Sequence, residues 1–210
     1  MGKLLKGING PIRGKVGTVV GSSWKGIPYI KGPYKERTAK AGPGEAANRN
    51  KFGMAQFWLK PVLKFVREGF KGYTETVEGF VSAKSYLLRH AFEGVAPDVH
   101  INPALVLVSY GTLSLSGDMA VEKIADGQLQ FTWNGGAVED GHAKDQVMML
   151  AYDIENGNAY SNTIGQFRSV GVDVLNTDPT PGRTYHIYGA FTAADRSRQS
   201  HSVYLGTITM

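Results

Sequence analysis

The spacing of apolar residues changes twice along the chain. In residues 1–43 apolar positions come in short pulses, with Val16, Val19, Val20, Trp24, Ile27, Tyr29 and Ile30 set between Gly7, Gly10, Gly14, Gly17, Gly21 and Gly26. Each glycine costs a helix about 1 kcal/mol against alanine, and the intervening residues are β-branched or aromatic. The pattern predicts a glycine-rich β-arm with two short strands, near 14–20 and 26–31, turning around Gly21-Ser22-Ser23. After Ala41-Gly42-Pro43-Gly44 the period lengthens to about 3.6. Phe52, Ala55, Trp58 and Leu59 form the buried stripe of a helix that starts at Glu45 and that Pro61 ends near Lys60. A second helix has Pro61 in its first turn, buries Val62, Phe65, Val66 and Phe70, and closes at Gly69 and Gly72. A third, over 82–92, carries Tyr86, Leu87, Ala91 and Phe92 and stops at Gly94.

From Asn102 the period falls to 2. Strands are predicted at 104–109, 111–116, 128–134, 146–153, 158–163, 167–175, 184–192 and 201–209, with Gly-, Asn-, Asp- and Pro-rich turns between them. The fold class is therefore mainly β with a helical middle segment. An antiparallel β-sandwich, immunoglobulin- or fibronectin III-like, follows a basic Gly-rich β-arm and two or three helices. Trp133, alternating with Leu129 and Phe131, is the expected central core aromatic, and Tyr185 or Tyr188 is placed to form a tyrosine corner. Three segments result: the arm at 1–43, the helical segment at 44–97 and the sandwich at 98–210.

Charge sharpens this division. The net charge of +5 is the balance of a basic front and an acidic back. Residues 1–97 carry 17 Lys or Arg against 6 Asp or Glu, and residues 98–210 carry 6 against 12. Such a chain attracts copies of itself head to tail, and its basic half alone suits phosphate polymers. The absence of cysteine excludes disulfides, zinc–thiolate sites and thiol nucleophiles. No apolar run reaches signal-peptide or membrane-span length. The expectation is a cytoplasmic protein without a membrane span, reaching the exterior only by a non-classical route or lysis.

The run from Gly10 to Ile30, with Gly14, Lys15, Val16, Gly17, the stretch Val20 to Gly26, and Tyr29, resembles an uncharacterised family from Bacteroidota. The similarity continues at Asn50, Phe52 and Phe57, through Ser109-Tyr110-Gly111-Thr112-Leu113, and in Tyr185 to Tyr188 and Ser202 to Gly206. It implies a bacterial source and no assigned activity.

Catalytic and metal chemistry finds little footing. His90, His100, His142, His186 and His201 show neither HxxxH nor HxH spacing. Asp140, His142 and Asp145 in one polar loop, and Asp153, Glu155 and Asn158 in another, read as solvated turns more readily than as calcium sites. Ser200, His201 and Asp195 are the raw material of a triad, but adjacent strand residues point to opposite faces. The expectation is a non-enzymatic chain with no catalytic residue, no cofactor and no metal.

The reading that remains is a self-assembling structural subunit of a filament, tube or phage-like particle. Its assembly interface is Lys15, Val16, Val19, Val20, Trp24, Ile27, Tyr29 and Ile30, its partner is another copy of itself, and the arm adds strands to that neighbour. A nucleic-acid-binding arm is the alternative, with Lys15, Lys25, Lys31, Lys35, Arg37 and Lys40 interleaved with Trp24, Tyr29 and Tyr34. A third reading is a β-sandwich adaptor or carbohydrate-binding module using Tyr152 and Tyr160.

Overall fold

A computed structural model describes residues 3–4, 6–7, 10–36, 38–74, 77–95, 98–136 and 139–210, the first pair by backbone alone. Arg37 of the basic arm lies outside the described residues. The chain divides into two compact units, residues 1–42 and 43–210.

The first unit is an antiparallel meander of β1 (Lys3–Leu4), β2 (Ile12–Val16), β3 (Val19–Trp24) and β4 (Ile27–Lys31). The turns differ from those expected. They fall at Gly17-Thr18 and Lys25-Gly26, and Gly21-Ser22-Ser23 lies within β3. Lys25 and Gly26 both have positive φ, +48° and +83°, which is the backbone of a two-residue hairpin turn matched to strand twist. Gly21 serves another purpose: a Cβ there would lie 2.0 Å from the Ile12 carbonyl oxygen. Its missing side chain permits close approach of two backbones rather than a turn.

The second unit begins with α1 (Pro43–Leu59), α2 (Leu63–Gly69) and α3 (Gly79–His90). A short ribbon of β5 (Phe92–Glu93) and β6 (His100–Ile101) and a 3-10 turn at Pro103–Leu105 lead into the sandwich. Its strands are β7 (Ala120–Ala125), β8 (Gln128–Thr132), β9 (Gln146–Asp153), β10 (Asn158–Asn162), β11 (Val172–Asn176), β12 (Thr184–Thr192) and β13 (Val203–Thr209). Four pair in the order β10-β9-β12-β13 and three in the order β11-β8-β7, all antiparallel. Seven strands split four and three in this order make an immunoglobulin/fibronectin III-like sandwich. Tyr185, at the start of β12, donates its hydroxyl to the Asp178 carbonyl at 3.3 Å, so it is Tyr185 and not Tyr188 that makes the tyrosine corner.

Helices and sandwich share one body because β9 is buried on both faces. Val147, Met149 and Ala151 point into the sandwich with Leu129, Phe131, Trp133 and Leu175. Met148, Leu150 and Tyr152 point the other way, against Trp58, Leu59, Phe65, Val66 and Leu87 of the helices. Three layers result, with helices on the four-stranded sheet and that sheet on the three-stranded one. The helical segment therefore packs as part of the 43–210 unit.

Three sequence expectations need correction here. Phe52, assigned to the buried stripe of α1, is 54% exposed, because the layer beneath α1 is filled by Ala55, Trp58 and Leu59. Tyr152, assigned to an exposed ligand surface, is buried beneath the helices. Segments 104–109 and 111–116 form no strands. They run as a strap whose backbone groups bond outside any ladder. Val108 and Ser109 donate their N–H groups to Ser202 Oγ at 3.0 and 3.3 Å, Tyr110 N donates to the Gly69 carbonyl at 2.8 Å, and Leu113 N to the Gln199 carbonyl at 3.0 Å. Gly111 is needed at the crossing, since a Cβ there would meet the Gln199 carbonyl oxygen at 2.0 Å. This strap is the Ser109-Tyr110-Gly111-Thr112-Leu113 motif. It carries Val108 into the helical core and Leu113 into the sandwich core.

Candidate assembly surface

In an antiparallel sheet, residues directly opposite each other share a face. Pairing Lys15 with Val20, Val20 with Lys31, Ser22 with Tyr29 and Trp24 with Ile27 gathers these seven residues on one side of the first unit. The other side receives Gly14, Val16, Val19, Gly21, Ser23, Pro28 and Ile30. The eight residues expected at the interface are thus divided between two faces. Lys15, Val20, Trp24, Ile27 and Tyr29 make a basic aromatic face, and Val16, Val19 and Ile30 a smaller apolar one.

Both faces are open. Trp24 is 54% exposed, Ile27 64% and Ile30 61%, and every residue of β4 is exposed. Val19 and Val20 are half-buried, and among the described residues of β2, β3 and β4 Gly21 alone is buried. Lys25 Nζ lies 5.3 Å from the Trp24 ring centroid, a cation–π contact at the hairpin tip. The strands pair with one another, and Pro28 removes a backbone donor from edge strand β4. Residues 1–42 carry nine Lys or Arg and a single Glu.

A second apolar run lies on the acidic sandwich. Ile164, Phe167, Val170, Val172 and Val174 are all more than a third exposed, although strand propensity in this stretch is high. The Asp173 carboxylate accepts from Gln166 N at 2.8 Å and so holds loop 164–167 beside β11. The sequence places 167–175 in one strand, whereas the structure makes 168–170 a 3-10 turn before β11 and leaves this run exposed. The available signal was Val170, Val172 and Val174, apolar at period 2 where one face must meet solvent.

The chain belongs to the DUF6266 family, a family of unknown function. Its model matches residues 11–206 and so takes in β2 through most of β13. No curated protein matches the chain. The family match covers the exposed N-terminal sheet as well as the sandwich, which makes both units part of what the DUF6266 family has in common.

The residue groups weighed for chemistry are occupied in other ways. The Ser200 hydroxyl accepts from Phe191 N and donates to the His201 carbonyl, each at 2.8 Å. His201 Nδ1 lies 2.6 Å from the Gly111 carbonyl oxygen, and the Asp195 carboxylate accepts from Ser197. The three residues do not form a triad. Asp140 pairs with Arg198, which holds its carboxyl below the ordinary range, and Asp145 is buried against Arg168. Asp153 accepts from the backbone and side chain of Asn156 at 3.0 and 2.7 Å. Among the described residues no group of three His, Cys, Asp or Glu side chains is arranged to hold a metal ion, and no helix is long and apolar enough to cross a membrane.

Proposed function

We propose that this DUF6266 chain is a non-enzymatic structural subunit that assembles with copies of itself through the N-terminal sheet. The observation that carries the reading is a four-stranded sheet with large apolar residues exposed on both faces, Trp24 and Ile27 on one and Ile30 on the other. A small sheet gains stability by burying an apolar face, and exposed patches of this kind mark interaction sites. The basic charge of residues 1–42 is complementary to the acidic sandwich, where the exposed 164–174 run offers an apolar counterpart. A contact between unlike surfaces of identical chains builds rings or open polymers according to its rotation. Sedimentation and negative-stain microscopy of Trp24→Ala and Ile30→Lys beside the parent test it. Assembly in the parent and its loss in both variants, with the sandwich still folded, is the expected outcome. Monomers throughout overturn the reading.

A second reading is favoured by one observation. Lys15 and Lys31 share a face with Trp24 and Tyr29, so that cations flank stacking surfaces as in proteins that follow single-stranded nucleic acid. A retarded oligonucleotide band at low salt that vanishes steeply with added salt would support it.

A further inference from the structure

Independently of the N-terminal sheet, the second unit holds an open cleft of about 540 Å³. It lies between the corner joining α1 to α2 and the side of the sandwich formed by β10 and β11. Its volume falls within the range of small-molecule sites, roughly 300–1,000 Å³. Its polar lining residues are Lys60, Lys64, Tyr160, Ser161 and Asn176, of which Tyr160 and Ser161, neighbours on β10, turn to opposite faces of that strand. Among the described residues no carboxylate lines it.

Lys60 and Lys64 stand four residues apart on either side of Pro61, and both are exposed. Among the described residues neither ammonium has a carboxylate or other hydrogen-bond partner. The Tyr160 ring is fixed by an edge-to-face contact with Tyr185, centroids 6.0 Å apart, and its hydroxyl is unpartnered among the described residues. Asn176 Oδ1 accepts from Gln128 at 3.4 Å, which turns the amide so that its N–H groups are left to donate elsewhere. Half of the lining, Lys60 to Phe65, comes from the basic part of the chain before residue 98, and the other half from the β10–β11 side of the sandwich. Two ammonium groups without a carboxylate partner at one cleft favour an anionic oxygen ligand. The rest of its lining is apolar, with Pro61, Leu63 and Ala159 offering a surface for C–H groups. A sugar ring presents hydroxyl oxygens at its rim and C–H groups on its face, and an acid group supplies the charge for the two lysines.

We propose that this cleft binds an acidic saccharide, a sugar unit carrying a carboxylate or sulfate. Lys60 and Lys64 pair with the acid group, the polar residues of the β10–β11 side meet ring oxygens, and the apolar wall takes the C–H face. The cleft shares no residue with the N-terminal sheet, so either assignment stands without the other, although Asn176 continues the face of β11 that carries Val172 and Val174.

The test is an amide NMR titration of the full chain with trigalacturonate and with a chondroitin sulfate disaccharide, using maltotriose and tripolyphosphate as controls. The expected result is saturable shifts at 159–161 and 175–176 with one or both acidic sugars, the more effective probe identifying carboxylate or sulfate. Affinity should fall about tenfold or more in Lys60→Gln/Lys64→Gln and stay unchanged in Lys15→Gln/Lys31→Gln. Four results would overturn the proposal: shifts confined to residues 10–36, undiminished affinity in Lys60→Gln/Lys64→Gln, equal response to maltotriose, or response to tripolyphosphate alone. Both lysines are exposed, so their replacement leaves the core intact.

Discussion

The Tyr152 hydroxyl donates to the Trp58 carbonyl oxygen at 2.9 Å, joining the last turn of α1 to the middle layer of the sandwich. Trp58 is the penultimate residue of α1, so its carbonyl has no partner within the helix. The two rings also meet edge to face, 5.0 Å between centroids. One tyrosine thus satisfies a buried helix end and packs beneath it.

Tyr152→Phe keeps the ring and removes only the hydroxyl. It leaves a buried carbonyl unpaired and should lower stability by about 1–2 kcal/mol, read as a reduced urea midpoint with an unchanged m-value. A loss below a few tenths of that would mean water reaches the Trp58 carbonyl.

A buried ion pair closes one end of the sandwich. Arg168 and Asp145 are 1% and 0% exposed, with Nε to Oδ2 at 3.4 Å. The guanidinium lies 3.9 Å from the Phe191 ring centroid and donates to the Ser114 carbonyl at 2.7 Å. Removing one partner strands a buried charge, so Asp145→Ala should cost about 3–5 kcal/mol. Replacing both, as Asp145→Leu/Arg168→Met, should cost much less, since the pair's desolvation is removed with its attraction. A double-mutant cycle in denaturant checks this, and additive losses would refute the coupling.

Groups whose pKa values shift on folding shape both limbs of the stability–pH profile. Burial lowers the pKa of His186 below its ordinary 6.5, although Asp153 and Glu155 act the other way. The unfolded chain then takes up a proton that the folded one refuses, so stability should fall as pH drops below about 6.5 and level off once the folded imidazole is protonated. Asp118, Asp140, Asp178 and Asp195, whose pKa values are lowered mainly by side-chain hydrogen bonds, contribute stability above about 3.9 that is lost as pH falls further through their folded values, a separate window. On the alkaline side burial pushes Tyr152 up to about 12. Here the unfolded phenol loses its proton first, so stability should fall as pH rises from about 10 toward that value. Thermal melts across pH measure both limbs. An unaltered slope between pH 7 and 5 in His186→Asn would remove His186 from the account.

Much of the sandwich was legible in the chain. Strands at 146–153 and 184–192 match the structure residue for residue, because both are long apolar runs bounded by turn signals. Trp133 is a core residue as expected, edge to face with Phe191 at 5.7 Å and donating Nε1 to the Arg168 carbonyl at 2.8 Å. Val62, Phe65, Val66 and Phe70 are buried as their helical spacing requires. Strand β7 escaped notice because its residues are mostly exposed, leaving little apolar alternation to read.

By itself the sequence determined the elements whose reason is local: long apolar runs, the break at Pro61, a glycine-rich basic front and an acidic β-rich back. Tertiary structure decided whatever depends on which backbone lies opposite which. Gly21 looks like a turn until the Ile12 carbonyl is seen against it, and moving the turn redistributes side chains between faces, since strand side chains alternate at period 2. Segment 104–116 has strand-like residues, yet Ser202, Gln199 and Gly69 take its hydrogen bonds. Lys60, Tyr160 and Asn176 meet at one cleft although roughly a hundred residues separate the first from the others. Spacing along a chain carries no record of such meetings, because they are fixed by packing between layers rather than by the period within one element.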